Sequence, residues 1–191
     1  NSTFSEVWWF YPSASSNEND RYVVFNYVEN TWAVGTLTRT AWQDRGLFNA
    51  PIAASTDGYL YNHETGQNDG STNPPSAITS YIESSQISIG SGDDFVFLTK
   101  LIPDLTFENS ISTAPTVDFT LQARNFPGGA YLQTDTSGVT QSATTPVEQF
   151  TEQTWIRLRG RSFAVKVESD TTDTQWRLGT PRVEIRPDGR R

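Results

Sequence analysis

Cysteine and methionine are absent from this 191-residue chain, and histidine occurs once. Without cysteine there is no disulfide framework and no thiolate chemistry, which leaves the redox compartment open. One histidine cannot make a catalytic triad unless a serine and an acid are held beside it, and nothing resembling G-x-S-x-G is present. Charged residues are sparse, at 19%. No apolar run approaches the roughly 20 residues a membrane helix needs. No long segment carries the 3.6-residue apolar period of an amphipathic helix. The opening residues NSTFSEVWWF lack the basic region and cleavage pattern of a signal peptide. The missing methionine predicts a fragment or processed product. In the same sense, Val7-Trp8-Trp9-Phe10-Tyr11 reads as a strand from the middle of an architecture.

What is present points to strands. Aromatics make up 13% of the residues, and Thr, Ser and Val are frequent. The chain is therefore read as all-β, large enough to bury a core without staples. Tyr22–Val28 and Thr31–Leu37 are β-rich arms flanking Glu29-Asn30, which predicts a hairpin with a two-residue connection. Asp57-Gly58 marks a second turn, with Phe48–Ser55 before it and Tyr59–Glu64 after. Glu6–Ser13 is a further strand, and Arg39–Leu47 reads as irregular. Strands and turns at this spacing fit propeller-blade-like hairpins or a piece of a sandwich.

Thr65–Pro75 is the most loop-like segment, and its Gly, Asn, Asp and Pro-Pro exclude a strand interior. A boundary is placed there, with a long loop inside one domain as the alternative. Residues 1–75 are read as blade-like material and 76–191 as a β-sandwich. In the second part Ala77–Gly90 alternates with one phase change, which suggests a long strand with a bulge. Phe95–Leu101 is a strand that Leu105–Glu108 continues past Pro103. Val117, Phe119, Leu121 and Ala123 share one face of Thr116–Ala123. Arg124–Pro146 reads as a long loop, Thr154–Leu158, Ser162–Glu168, Gln175–Leu178 and Arg182–Ile185 as strands, and Pro187–Arg191 as a polar tail.

Charge is uneven. The formal net charge of −8 divides into −10 over residues 1–120 and +2 over 121–191. The acidic part argues against nucleic acid gripped through its phosphates, but suits a surface that DNA slides past. Arg157, Arg159 and Arg161 alternate with Ile156, Leu158 and Gly160, so they would line one strand face. With Arg177, Arg182, Arg186, Arg190 and Arg191 they make a basic side. Set against the acidic part, it suggests head-to-tail contact between copies; solvated local salt bridges are the plain alternative.

Candidate chemistry is thin. His63-Glu64 is the one histidine–acid pair, and it reads first as a solvated strand end. Asn68-Asp69-Gly70 and Gly92-Asp93-Asp94 offer oxygen ligands for Ca²⁺ at Asp69 or Asp93, yet neither completes a Ca²⁺ loop and both are ordinary turn compositions. Glu83, Asp93, Asp94, Asp104 and Glu108 could supply paired carboxylates for glycoside hydrolysis only if folding brought two of them to one cleft. No catalytic residue, cofactor or metal is therefore expected. Trp8, Trp9, Trp32, Trp42, Tyr59 and Tyr61 are either core packing, a sugar-stacking platform or a protein interface.

Three runs carry a resemblance. They are WWFYPSASSNENDRYVVFNYVENTWAVGTL with PIAASTDGYLYNHETG; NPPSAITSYIESSQISIGSGDDFVFLTKLIPDL; and RLRGRSFAVKVESD with Trp176–Gly179 and Pro181–Arg191. Together they cover nearly all of the chain, which resembles structural proteins of tailed bacteriophages, of the hub, nozzle or DNA-stabilising tail kind. The resemblance implies a virion component of the phage tail, not an enzyme. Its expected partners are further copies of itself in a ring, other tail proteins, and phage DNA passing without specific binding. It brings no membrane anchor and no catalytic residues. The interface would draw on Trp8, Trp9, Trp42, Arg157, Arg159, Arg161, Arg190 and Arg191. A carbohydrate-binding module for a host-surface glycan is the alternative.

Overall fold

The structure is a computed structural model that describes residues 1–126 and 141–189. It is all-β, and its strands form several small antiparallel sheets. The chain divides into two compact units, Asn1–Gly66 and Gln67–Arg191. The division falls at the start of the Thr65–Pro75 segment, so Gln67–Pro75 belong with the second unit.

The first unit holds two three-stranded meanders. One joins β1 (Glu6–Tyr11), β2 (Arg21–Asn26) and β3 (Thr31–Thr36) in chain order, and the other joins β4 (Ala41–Gln43), β5 (Ile52–Ala54) and β6 (Leu60–Asn62). Each has one strand fewer than the four of a propeller blade, and no closed propeller forms among the described residues. The hairpin between β2 and β3 is present, but its connection is four residues long. Asn26 pairs with Thr31, and its Oδ1 accepts from the amides of Val28 and Glu29 at 3.0 and 2.9 Å. That side-chain turn ends the strand two residues early. Asn30 takes the left-handed conformation, φ 56°. The stretch read as irregular contains β4, which pairs with β5.

Tyr22 lies directly opposite Gly35 on the neighbouring strand, and its ring covers the space a Cβ on Gly35 would occupy. A glycine is required there because that ring belongs to the aromatic stack described below.

The second unit is built on β7 (Asn68–Asp69), β8 (Ser76–Ala77), β9 (Ser80–Glu83), β10 (Ile87–Ser88), β11 (Val96–Ile102) and β12 (Leu105–Thr106). It continues with β13 (Thr116–Arg124), β14 (Ser142–Glu148), β15 (Thr154–Gly160), β16 (Ser162–Ser169), β17 (Arg177–Leu178) and β18 (Arg182–Pro187). Two larger sheets matter most. In one, β16 pairs with β9, β10 and β13, and β13 pairs with β14; the other has the order β15-β11-β18. Val117, Phe119, Leu121 and Ala123 of β13 are all fully buried. They meet Val147, Phe163 and Val167 of their own sheet, and Val96, Leu98, Leu101, Ile156 and Leu158 of the other, in one apolar cluster. This is the sandwich core.

Several expectations change. The chain over 77–90 is three short strands. β9 and β10 both pair with β16, and Ser84–Gln86 oppose only Val165 and Ala164. This extra residue is the bulge behind the phase change. Ser84 fills the gap, its Oγ accepting from Val165 N at 3.0 Å. β12 does not extend β11; it pairs with β17. β7 is a two-residue strand inside the segment read as loop. Ser142–Pro146, also read as loop, lies in edge strand β14, where exposed Pro146 is tolerated because its missing N–H faces no partner. Residues 127–140 of that stretch lie outside the described residues. Pro187 ends β18, and Phe95 exchanges backbone bonds with Asp188 and Gly189.

At Gly160 the chain leaves one sheet for the other. A Cβ there would come within 2.8 Å of Ala123 Cβ and 3.1 Å of Arg124 O. Gly160→Ala is expected to destabilise the second unit by about 1–3 kcal/mol through overpacking, and Phe119→Ala by about 3–5 kcal/mol through a cavity. Urea unfolding measures both; unchanged midpoints would contradict the placement of the core.

Candidate functional site

The first unit sorts its aromatics onto two sheet faces because neighbouring residues of a strand point to opposite sides. Trp8 and Phe10 face inward. Trp8 stacks on Trp42 with centroids 5.6 Å apart and planes 16° apart, and meets Tyr22 at 4.6 Å. Trp42 in turn packs on His63 at 4.5 Å. Trp8 and Trp42 therefore hold the two meanders together and are half-buried. Trp8 Nε1 donates to Glu6 Oε2 at 2.9 Å, which satisfies the indole.

His63 and Glu64 part company. Arg39 Nε donates to His63 Nε2 at 2.9 Å, so the imidazole is neutral and carries its proton on Nδ1. Burial, with the Arg39 charge adding to it, pulls the His63 pKa down to about 4. The guanidinium also lies over the Tyr61 ring at 4.6 Å, and Tyr61 donates to Asp57 Oδ2 at 2.6 Å. Glu64 instead accepts from Asn1 Nδ2 at 2.9 Å, with its pKa raised by burial and by the nearby Glu6. The sequence pair is thus not a catalytic dyad. His63 is a packing residue of the aromatic stack.

The outward face of β1–β2–β3 carries Val7, Trp9, Tyr11, Phe25, Trp32 and Val34. Register places Trp9 beside Val23, which pairs with Val34, and Val7 beside Phe25, which pairs with Trp32. Trp9 is 48% exposed, Trp32 63% and Val34 64%. The Trp9 and Trp32 rings lie 5.9 Å apart with planes 22° apart. Trp9 is thus the one interface tryptophan read from sequence that is open to solvent. Trp32 and Val34 were not among those residues, although the alternation of Thr31–Thr36 places them on the same face.

In the second unit Arg157 and Arg159 share the outer face of β15. Arg161 lies beyond the strand, at the crossing to β16. Arg159 and Arg161 both stack over Phe95, at 3.8 and 4.6 Å, and Arg159 is ion-paired to Asp188. Arg190 and Arg191 lie outside the described residues. The basic side thus consists of Arg157 and Arg159 with Lys100, Arg182 and Arg186 on the adjoining strands.

In the Asn68-Asp69-Gly70 turn the side-chain oxygens bond within the protein. Asp69 Oδ1 accepts from Ser71 N at 2.9 Å, and Asn68 and Asp173 bond reciprocally at 2.7 Å. Asp104 accepts from Thr180 N at 2.8 Å, which fixes the turn between β17 and β18. Among the described residues no group of three or more His, Cys, Asp or Glu could hold a metal. A shallow depression of about 310 Å³ is lined by Gln67, Ile78, Ser80, Thr174, Gln175 and Trp176. Its polar groups bond to the protein: Trp176 Nε1 to Ser80 Oγ at 2.9 Å, and Gln67 Nε2 to the Asn109 carbonyl. In comparisons with known proteins, no family model and no curated protein matches the chain.

The neutral His63 gives a pH signature. The folded chain binds its proton only near pH 4, while an unfolded histidine binds near 6.5. Between those values the unfolded state holds more protons, so stability falls as pH drops from about 6.5 to 4. Glu64, raised by burial, has the opposite sign and partly offsets the loss at the acid end of that window. Thermal unfolding of the first unit, followed by tryptophan emission, should show this slope, and His63→Gln should flatten it. Equal slopes in both proteins would contradict the His63–Arg39 geometry.

Proposed function

We propose that this chain is a structural subunit of a virion, of the tailed-phage tail type, that works by association with copies of itself and with neighbouring tail proteins rather than by catalysis. The observation that carries the reading is a sheet apolar on both faces, of which one packs within the first unit and the other is exposed among the described residues. β1–β3 uses Trp8, Phe10 and Tyr22 to pack on the second meander, and presents Val7, Trp9, Tyr11, Trp32 and Val34 outward. Contiguous exposed apolar surface of this kind marks interaction sites, and aromatic anchors dominate binding energy when water is excluded around them. The occupant of this face is a second copy, whose equivalent strands have the same apolar surface to bury. The net charge of −8 supports a further element of the reading, that DNA passes without sticking. Among the described residues no helix is long and apolar enough to cross a membrane.

One observation favours a second reading. Trp9 and Trp32 form a nearly parallel, exposed ring pair, which is also the form of a sugar-stacking platform. The two readings separate in solution. Sedimentation velocity of the full chain in 0.5 M NaCl should show concentration-dependent oligomers, because apolar contacts persist in salt. Trp9→Ser with Trp32→Ser should weaken them by about 2 kcal/mol or more, roughly thirtyfold. A monomer at all concentrations whose tryptophan emission responds to a glycan would overturn the assembly reading in favour of the second.

A further inference from the structure

The two outer faces of the sandwich carry opposite charge. On the β15-β11-β18 sheet, the side chains turned away from the core are Trp155, Arg157 and Arg159 on β15, Phe97 and Lys100 on β11, and Arg182, Glu184 and Arg186 on β18. Counting Asp188, which pairs with Arg159, five cations face two carboxylates. Glu184 is shared by Lys100 and Arg186 at 3.2 Å each. Arg157 and Arg182 are exposed and form no ion pair with a described residue. Trp155, 73% exposed, adds an apolar anchor to the same face.

On the other sheet the sign reverses. Because Val117, Phe119, Val147 and Val167 point into the core, Asp118, Glu148 and Glu168 point out. Glu83 of β9 joins them beside Lys166, which bonds Glu168 at 2.5 Å, and Arg124 at the end of β13 bonds Gln86, so four carboxylates face two cations. Asp118 and Glu168 are direct cross-strand partners. Like charges in that position destabilise a sheet, and Lys166 relieves the pair in part through its bond to Glu168.

We infer that the acidic outer face of one sandwich receives the basic outer face of a second copy, so that the chains associate head to tail through Gln67–Arg191. This rests on the assembly reading and adds to it a second contact, with the partner surface named. The acidic partner is the sandwich's own other sheet, which takes Glu83 and Asp118 from the acidic first part of the chain and Glu148 and Glu168 from the rest. Two different faces of one subunit make a heterologous contact, which propagates into a ring or a filament. Three strands about 4.8 Å apart and roughly 20 Å long present only about 300 Å², well under the roughly 800 Å² per partner of a stable interface. The contact is therefore weak alone, steered by charge and sensitive to salt.

Charge reversal tests this in the full chain. One variant carries Arg157→Glu and Arg182→Glu, the other Glu83→Lys and Glu148→Lys. All four side chains are exposed, and circular dichroism with thermal melting confirms that each variant folds. In 20 mM salt the unaltered chain should self-associate, with an affinity that falls about tenfold or more by 0.3 M. Each variant alone should lose this salt-sensitive part, and an equimolar mixture should regain it, because each then offers the face the other lacks. Repeating the series on Trp9→Ser with Trp32→Ser separates it from the apolar contact, which salt does not weaken. Variants that associate like the unaltered chain, or a mixture that stays apart, would overturn the inference even if the apolar contact holds. Loss of single-stranded oligonucleotide binding on Arg157→Glu with Arg182→Glu, with no effect of the acidic-face substitutions on association, would overturn it in favour of a polyanion site.

Discussion

The two-residue repeat of a strand is the constraint on which the rest of this molecule depends. Once Val117, Phe119, Leu121 and Ala123 are sealed into the sandwich core, their neighbours Asp118, Thr120 and Gln122 must face outward. The same geometry turns Arg157 and Arg159 out because Ile156 and Leu158 are in. Core burial and surface character are thus one choice. A single-residue slip in register would exchange them, placing Asp118 in the core at a cost far beyond any surface ion pair.

The first unit obeys the same rule with a different result. Its fully buried aliphatic content is small, chiefly Val24 and Ala53 with Pro51. Stacked rings take the place of an aliphatic core. Trp8, Tyr22, Trp42 and His63 form a continuous column, and Arg39 closes it by bonding the imidazole and covering Tyr61. Gly35 exists to let Tyr22 lie flat on its neighbour strand. The opposite face of β1–β3 is also rich in large apolar residues, and Val7, Trp9, Tyr11, Trp32 and Val34 there are exposed. Contiguous exposed apolar surface of this kind marks interaction sites.

Much of the fold is legible in the sequence where information is local. The clean alternation of Thr116–Ala123, the turn at Asp57-Gly58 and the phase change near Ser84 each became a strand, a turn and a bulge. Most of what failed was non-local. Nothing in Thr154–Leu158 and Ser162–Glu168 says that two strands one residue apart join different sheets; Gly160 between them, where an added Cβ would meet Ala123, is the residue in the sequence that could have signalled the crossing. Asn26 shortened its strand by capturing two amides, a competition that propensity alone does not weigh. Among site residues, Trp9 is legible as exposed only once Trp8 is known to be inside, and the period of two gives that relation but not its sign. The basic face is legible as Arg157, Arg159, Arg182 and Arg186; Lys100 joins it only through the pairing of β11 with β15 and β18, while Arg177 lies on β17, which pairs with β12.

Self-association is the central claim, and native mass spectrometry of the unmodified full chain across a concentration series tests it most directly. The account predicts discrete multiples of the 21.3 kDa chain that grow with concentration. A clean monomer at every concentration, in low and high salt alike, would contradict it.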